Sequence, residues 1–308
     1  MSFAFVYPGQ GSQSVGMMAA YGDAPAIQQT LKEASVALAV DLVALLAEGP
    51  VEELNKTINT QPVMLAAGVA VYRQWLAEGG AAPAFMAGHS LGEYTALVCA
   101  GALDFSDAIR LVRLRAAAMQ SAVPEGVGGM AAILGLDDAA VVSLCVEAAQ
   151  GEVLEAVNFN SPGQVVIAGH KAAVERGCLL AKEKGAKRAL PLPVSVPSHC
   201  ALMQPAAEKL RTAMADITIK TPTVPVIHNA DVAPHSDPAA IRDALARQLY
   251  SPVRWVESMH FLAAQGVTLI AECGPGKVLA GLNKRTLENV PTVALADAAA
   301  LADTLGKI

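Results

Sequence analysis

The sequence is poor in aromatic residues and in charge. Aromatic residues make up 4% and charged residues 16% of its 308 residues, while 53% are hydrophobic. Alanine, valine and leucine must therefore fill a sizeable core, and the length fits one large domain or a large domain with a smaller insert. The net charge is −6, whereas binding to the phosphates of a nucleic acid needs a concentrated basic face. We therefore expect no nucleic-acid partner.

Paired cysteines and long apolar segments are missing as well. The five cysteines are scattered without a C-x-x-C pair, which predicts neither a disulfide framework nor a zinc site, and favours a reducing compartment. The N-terminal MSFAFVYPGQGSQ has too short an apolar part for a signal peptide. Apolar stretches such as Pro62–Tyr72 fall short of the roughly 20 residues of a membrane span. We therefore expect a soluble cytoplasmic protein with no membrane partner.

Short apolar runs that end in tight turns alternate with helical patterns. Phe3–Tyr7 ends in Pro8-Gly9-Gln10-Gly11-Ser12, and Ala84–Gly88 leads straight into His89-Ser90-Leu91-Gly92. Helical periodicity follows at 26–46, 61–78, 93–100 and 105–123. Strand, turn and helix repeated in this order predict an α/β core with a largely parallel sheet.

The pattern changes after the glycine-rich segment at 124–129. From there the sequence predicts a strand, a helix, two strands, a helix and a strand, which is the order of a ferredoxin-like unit. We interpret 124–196 as an inserted small domain and 1–123 with 197–308 as the catalytic domain. The second part of that domain contains predicted helices at 202–214 and 238–249 and predicted strands at 224–229 and 267–273.

Ser90 lies in Gly88-x-Ser90-x-Gly92, between a predicted strand and a predicted helix. This is the arrangement of a nucleophile elbow, in which small residues two positions away on either side accommodate a sharp turn. The simpler interpretation is that Ser90 caps the following helix. As a nucleophile it needs a base, because a serine hydroxyl is a poor nucleophile near neutral pH.

Six histidines compete for the role of that base. His89 adjoins Ser90, but side chains of consecutive residues diverge at such a turn, so we expect His89 to support the elbow. His199 follows Pro197-Ser198 at the predicted return from the small domain to the core, where it would face a cleft between the domains. A lone histidine is also often structural, and that alternative stays open.

Arg115 interrupts an otherwise apolar helix face. At 3.6 residues per turn it shares that face with Ala108, Leu111, Val112, Met119 and Ala122, so its guanidinium should point inward. A buried arginine needs an anion. The partner is either an internal aspartate or glutamate, or a substrate carboxylate held by two hydrogen bonds.

Six segments in sequence order resemble one family. They are Gly9-Gln10-Gly11-Ser12-Gln13, Gly88-His89-Ser90-Leu91-Gly92-Glu93, Arg115, Asn158-Phe159-Asn160-Ser161-Pro162-Gly163-Gln164, Pro197-Ser198-His199 and Gly274-Pro275-Gly276-Lys277. Together they resemble the malonyl-CoA:acyl carrier protein transacylases of bacterial type II fatty acid synthesis, over the whole length of the chain.

The resemblance implies an α/β-hydrolase-like core with a ferredoxin-like insert and a two-step transfer through a malonyl-serine. Ser90 would be the nucleophile and His199 its base, oriented by a main-chain carbonyl near Gln248 and not by an aspartate. The N–H groups of Gln10 and Leu91 would form the oxyanion hole. Substrate binding would fall to Arg115, which would hold the malonyl carboxylate, and to Gln248 and Asn160.

The resemblance also implies the partners. Malonyl-CoA and an acyl carrier protein would be substrates of a monomeric enzyme that needs no cofactor and no metal. The carrier is typically acidic in this family, so the basic stretches at 182–188 and 284–285 are docking candidates, or simply solvated surface. Three alternatives remain: a serine hydrolase or thioesterase with the same elbow, a malonyl loader of a polyketide pathway, and a non-catalytic docking protein.

Overall fold

The computed structural model describes residues 2–194 and 196–308. Its strands, in chain order, are β1 (Phe3–Tyr7), β2 (Phe85–Gly88), β3 (Gly128–Leu134), β4 (Leu154–Ser161), β5 (Gln164–His170), β6 (Arg188–Pro191), β7 (Val226–Ile227), β8 (Leu269–Cys273) and β9 (Thr292–Leu295). They form two separate sheets, with the orders β7-β2-β1-β8-β9 and β4-β5-β3-β6.

The helices in chain order are α1 (Pro25–Leu38), α2 (Leu42–Glu48), α3 (Val51–Leu54), α4 (Thr57–Ala77), α5 (Gly92–Cys99), α6 (Phe105–Gln120), α7 (Asp138–Ala149), α8 (Lys171–Glu183), α9 (Gln204–Met214), α10 (Pro238–Gln248), α11 (Trp255–Ala264), α12 (Val278–Thr286) and α13 (Ala298–Leu305). Helix starts often follow an aspartate whose side chain accepts a backbone N–H bond. Asp104 does so before α6, and Asp237 does so before α10.

The first sheet is parallel throughout, as the sequence predicts. β1 lies at its centre, and all five of its residues are buried because helices cover both faces. One large hydrophobic cluster contains Phe5 and Trp75, and a second contains Val6 and Trp255. The fold is therefore α/β with a parallel sheet, and the predicted fold class is confirmed.

The second sheet is antiparallel and follows the predicted βαββαβ order from β3 to β6. α7 and α8 cover one of its faces around Ile133 and Ile167. β4 approaches the first part of the molecule, where Phe159 N–H donates to the Val253 carbonyl at 3.0 Å. All these strands and helices lie within 124–196, and we retain those limits of a small domain as a proposal.

Several element boundaries differ from the predicted ones. The helical pattern at 26–46 is two helices, because the chain turns at Ala39, whose φ of +52° is left-handed. The predicted strand at 224–229 is reduced to Val226–Ile227, and β9 at the sheet edge is not among the predicted strands. In the described part of the chain, no helix is long and apolar enough to cross a membrane.

Candidate active site

Ser90 stands on a strained turn between β2 and α5. Its φ of +51° lies in the left-handed region, which costs about 1–3 kcal/mol for a residue other than glycine. The two flanking glycines are required because any larger side chain would clash with neighbouring backbone atoms. A Cβ on Gly88 would lie 1.9 Å from the carbonyl carbon of Gly92, and one on Gly92 would lie 2.0 Å from the Tyr7 oxygen. This geometry is that of a nucleophile elbow.

Asn229 clamps this turn from the end of the neighbouring strand β7. Its Oδ1 accepts a hydrogen bond from the Ser90 N–H at 2.7 Å, and its Nδ2 donates to the Gly88 carbonyl at 2.7 Å. Asn229 is fully buried. Sequence reasoning missed it, although a polar residue at the carboxyl end of a parallel strand is a recognised signal of a site.

His199 reaches Ser90 from the other side. Its Nε2 lies 2.8 Å from Ser90 Oγ, and its Nδ1 lies 2.8 Å from the Gln248 carbonyl oxygen. Since a carbonyl only accepts, Nδ1 carries the hydrogen and Nε2 is left to accept from the serine hydroxyl. Burial, with the positive charge of Arg115 second, lowers the pKa of His199 to about 3. The imidazole is therefore a neutral acceptor near neutral pH.

The other five histidines do not hydrogen-bond Ser90. His89 Nε2 donates to Asn160 Oδ1 at 2.8 Å, and the His89 ring packs against the Trp255 ring, as expected for a residue that supports the elbow. His170, His228 and His235 bond Val153, Glu93 and Asp231, respectively. His260 is exposed on α11.

Arg115 is buried on α6, with 1% of its surface exposed, as its helical position predicts. It donates from Nη1 to Gln61 Oε1 at 2.7 Å, and from Nη2 to Gln248 Oε1 at 3.0 Å and to Ser90 Oγ at 3.1 Å. All three partners are neutral, and no described carboxylate accepts from this guanidinium. Burial lowers the pKa of Arg115, because a buried positive charge is unfavourable without an anion. An anionic ligand in the cavity would therefore stabilise the guanidinium. Of these partners, Gln61 was not singled out from the sequence.

Gln10 and Leu91 both line the cavity that contains Ser90, and each has a backbone N–H. Leu91 is the N-cap residue of α5, where the helix dipole is positive, and Gln10 lies in the loop after β1. That loop packs closely on the elbow, since a Cβ on Gly9 would lie 2.5 Å from the His89 oxygen. Neither N–H donates to another described group, so both are available to an oxyanion.

A cavity of about 490 Å³ is lined by Gln10, Ser90, Leu91, Arg115 and His199. Asn160 of β4 also lines this cavity. The side-chain oxygen of Asn160 accepts a hydrogen bond from His89. The amide nitrogen of Asn160 is therefore the group that remains available to a ligand. The volume suits a small acyl group and part of a carrier chain. Among the described residues, no group of three or more metal-ligating side chains occurs.

The arrangement is a serine–histidine pair beside an arginine without an acidic partner. Ser90 Oγ has a base on one side and a cation on the other. Two free N–H groups lie at the same cavity. The geometry suits acyl transfer through a serine ester, with an acyl group that carries its own negative charge.

Known proteins similar to this chain include acyl transferases over nearly its whole length. The family model for the acyl transferase domain matches residues 4–307. The malonyl CoA-acyl carrier protein transacylase of Salmonella typhimurium is 61% identical over 304 residues, covering 98% of each chain.

Two solved structures are similar over nearly the whole chain. The acyl-carrier-protein S-malonyltransferase of Burkholderia pseudomallei superposes with a TM-score of 0.98 at 60% identity, over 99% of this chain and 100% of that one. A malonyl-transacylase in complex with a type II PKS acyl carrier protein has a TM-score of 0.99 at 55% identity, over 100% of both chains.

Proposed function

The chain belongs to the acyl transferase domain family, and from this premise we propose that it transfers malonyl groups from malonyl-CoA to acyl carrier protein. The malonyl carrier that it makes supplies fatty acid elongation. One observation carries the proposed chemistry: the same hydroxyl, Ser90 Oγ, contacts a neutral imidazole at 2.8 Å and a guanidinium without an acidic partner at 3.1 Å.

In the first half-reaction, Ser90 attacks the thioester carbonyl of malonyl-CoA while its proton passes to His199 Nε2. The N–H groups of Gln10 and Leu91 stabilise the negative oxygen of the tetrahedral intermediate. The carbon–sulfur bond then breaks, His199 returns the proton to the departing CoA sulfur, and a malonyl ester remains on Ser90.

Arg115 selects the acyl group. A malonyl carboxylate can take over its two terminal nitrogens, which neutral amide oxygens of Gln61 and Gln248 occupy in the free protein. An acetyl group has no carboxylate, so it would leave the buried cation without an anion. The exchange of neutral acceptors for a charged one supports a preference for malonyl groups.

In the second half-reaction, the phosphopantetheine thiol of the carrier replaces CoA. His199 takes the thiol proton, the sulfur attacks the ester carbonyl, and the proton returns to Ser90 Oγ as the ester bond breaks. A thioester is again the product, so the transfer is reversible. Gln248 supports both halves, because its main-chain oxygen fixes the His199 tautomer.

We also propose that the enzyme works in the cytoplasm as a monomer and without a cofactor. In support, Ser90, His199 and Arg115 all come from one chain, and acyl transfer between thiols needs no further reagent. Asn160 is proposed to bind the acyl group or the carrier chain through its free amide nitrogen.

The test is to supply malonyl-CoA with and without holo acyl carrier protein and to measure CoA, malonyl carrier and free malonate. We expect CoA release to match malonyl-carrier formation, with little malonate. A hydrolase or thioesterase would instead release malonate in proportion to CoA whether or not the carrier is present, and that result would contradict the proposal.

A further inference from the structure

Glu93 is a buried carboxylate at the start of α5, and none of its surface is exposed. Its Oε2 accepts hydrogen bonds from the Asn229 N–H at 2.9 Å and from Gln248 Nε2 at 2.8 Å. Its Oε1 lies 2.7 Å from His228 Nδ1. Three nitrogens therefore lie within hydrogen-bond distance of one side chain, and a carboxylate can accept from all three through its two oxygens.

The two side chains held by this carboxylate are those that fix the reacting groups. Asn229 Oδ1 accepts a hydrogen bond from the Ser90 N–H, and Gln248 Nε2 donates to the Ser90 carbonyl at 2.9 Å. Gln248 also accepts from Arg115 through its side chain and from His199 through its main chain. The Glu93 side chain touches neither Ser90 Oγ nor the cavity, yet Ser90, His199 and Arg115 each hydrogen-bond one of its two partners, Asn229 or Gln248.

The placement of this negative charge matters for Arg115. Burial lowers the pKa of the guanidinium, whereas the Tyr94 hydroxyl and the Glu93 carboxylate act in the opposite direction. Glu93 reaches Arg115 only through Gln248, so it offsets the cation without occupying its nitrogens. A carboxylate in direct contact would compete with the acyl carboxylate for the same nitrogens.

We propose that Glu93 is a positioning residue, which holds Gln248 and Asn229 in place. These two side chains in turn fix the relative positions of Ser90, His199 and Arg115, while the guanidinium remains available to the substrate. The role in catalysis rests on the function proposed above. The role in positioning does not, because it concerns the geometry of the free protein.

Two substitutions test this role. Glu93→Asp retains the charge but shortens the side chain by one methylene, so it cannot reach all three nitrogens. Glu272 offers a matched control, since it is equally buried and accepts from the N–H groups of Leu279 and Ala280 at the start of α12. Glu272→Asp should therefore lower stability without disturbing the His199–Gln248 contact.

The readouts are the malonylation rate of Ser90 and the proton resonance of the His199 Nδ1–H, in protein with ¹⁵N-labelled histidine and assigned through a His199→Gln variant. We expect Glu93→Asp to shift that resonance and to slow malonylation about 100-fold, as misplacement of reacting groups by about 1 Å does. Glu272→Asp should leave the His199 resonance at the wild-type value, and this resonance is its control readout because Leu279, which donates to Glu272, lines the cavity. If Glu93→Asp does not fold, Glu93→Gln is given the same two measurements, because it removes an acceptor at unchanged length.

A Glu93 variant with the wild-type resonance and rate would overturn the proposal. So would a Glu272→Asp resonance shift equal to that of Glu93→Asp, since general destabilisation would then explain both. If the wild-type protein forms no malonyl-serine but the Glu93 resonance shift is present, the proposed function fails and the positioning role stands.

Discussion

Arg115 Nη2 lies 3.1 Å from Ser90 Oγ, so the buried guanidinium reaches the same oxygen that His199 contacts. This proximity joins two predictions made separately from the sequence, one from helical periodicity and one from a motif. It also means that an acyl group on Ser90 must end beside a cation. The residue proposed to recognise the acyl group and the residue proposed to carry it are therefore in direct contact.

Replacing Arg115 with alanine removes the proposed partner of the malonyl carboxylate. Because hydrogen bonds to charged groups are worth about 1.5–3 kcal/mol, we expect kcat/KM for malonyl-CoA to fall about 100-fold while acetyl-CoA is affected much less. The measurement is a competition between the two acyl-CoA substrates. An unchanged preference for malonyl over acetyl groups would remove Arg115 from substrate binding.

The acid limb of Ser90 reactivity reports on His199. Burial and Arg115 lower its pKa to about 3, so Nε2 stays unprotonated as the pH falls and the limb lies below pH 5. Arg115→Ala removes one of the two main causes of this lowering, so the limb should move to higher pH. The probe is a neutral phenyl ester, whose own charge does not change, with circular dichroism as the control for folding. A wild-type limb near pH 6.5 would contradict this account.

The elbow depends on the two glycines beside Ser90. In Gly88→Ala and Gly92→Ala the new methyl group meets backbone atoms at 1.9 and 2.0 Å, so we expect a loss of about 3 kcal/mol or more in the free energy of unfolding. A methyl group on Gly281 of α12 would meet no heavy atom of a neighbouring element within 4 Å, and alanine there should stabilise the helix by about 0.5–1 kcal/mol. Urea unfolding compares the three variants, and equal stabilities would show that the elbow tolerates side chains.

Lys187 and Arg188 are exposed where β6 begins, and the chain after β6 lines the cavity at Leu192. Reversing both charges should raise the KM for an acidic carrier about tenfold and leave the KM for malonyl-CoA unchanged, given up to about 1 kcal/mol for each exposed pair. Lys32→Glu, exposed on α1, is the control. Equal effects on both substrates would argue against docking at this surface. The other basic candidate, Arg285, already donates to Ser161 and Gln164.

Much of the fold and part of the site could be predicted because the signals are local. The apolar run Phe3–Tyr7 indicates a central strand, and it is buried throughout. Gly88 and Gly92 indicate a turn that only glycine allows, and the structure shows the clashes that explain them. Arg115 could be recognised because an apolar helix face is normally buried, and a charged residue on it needs a partner.

The remaining contacts join residues far apart in the chain. Asn229 meets Ser90 across 139 positions, and Gln61 meets Arg115 across 54. Gln61 has no local pattern that distinguishes it from a surface residue, and the signal at Asn229 depends on knowing that the two-residue strand β7 belongs to the parallel sheet. Ala39 also ends a helix in left-handed conformation without the glycine that usually marks such a point. These features depend on tertiary packing, which periodicity does not report.

The central claim is that Ser90 carries the malonyl group. Its most direct test is peptide mass spectrometry after brief incubation of the wild-type protein and Ser90→Ala with malonyl-CoA and no carrier. We predict one malonyl group on the peptide that contains Ser90, its absence in Ser90→Ala, and its discharge when holo carrier is added. A malonyl group on any other residue, or transfer to the carrier by Ser90→Ala at the wild-type rate, would contradict the account.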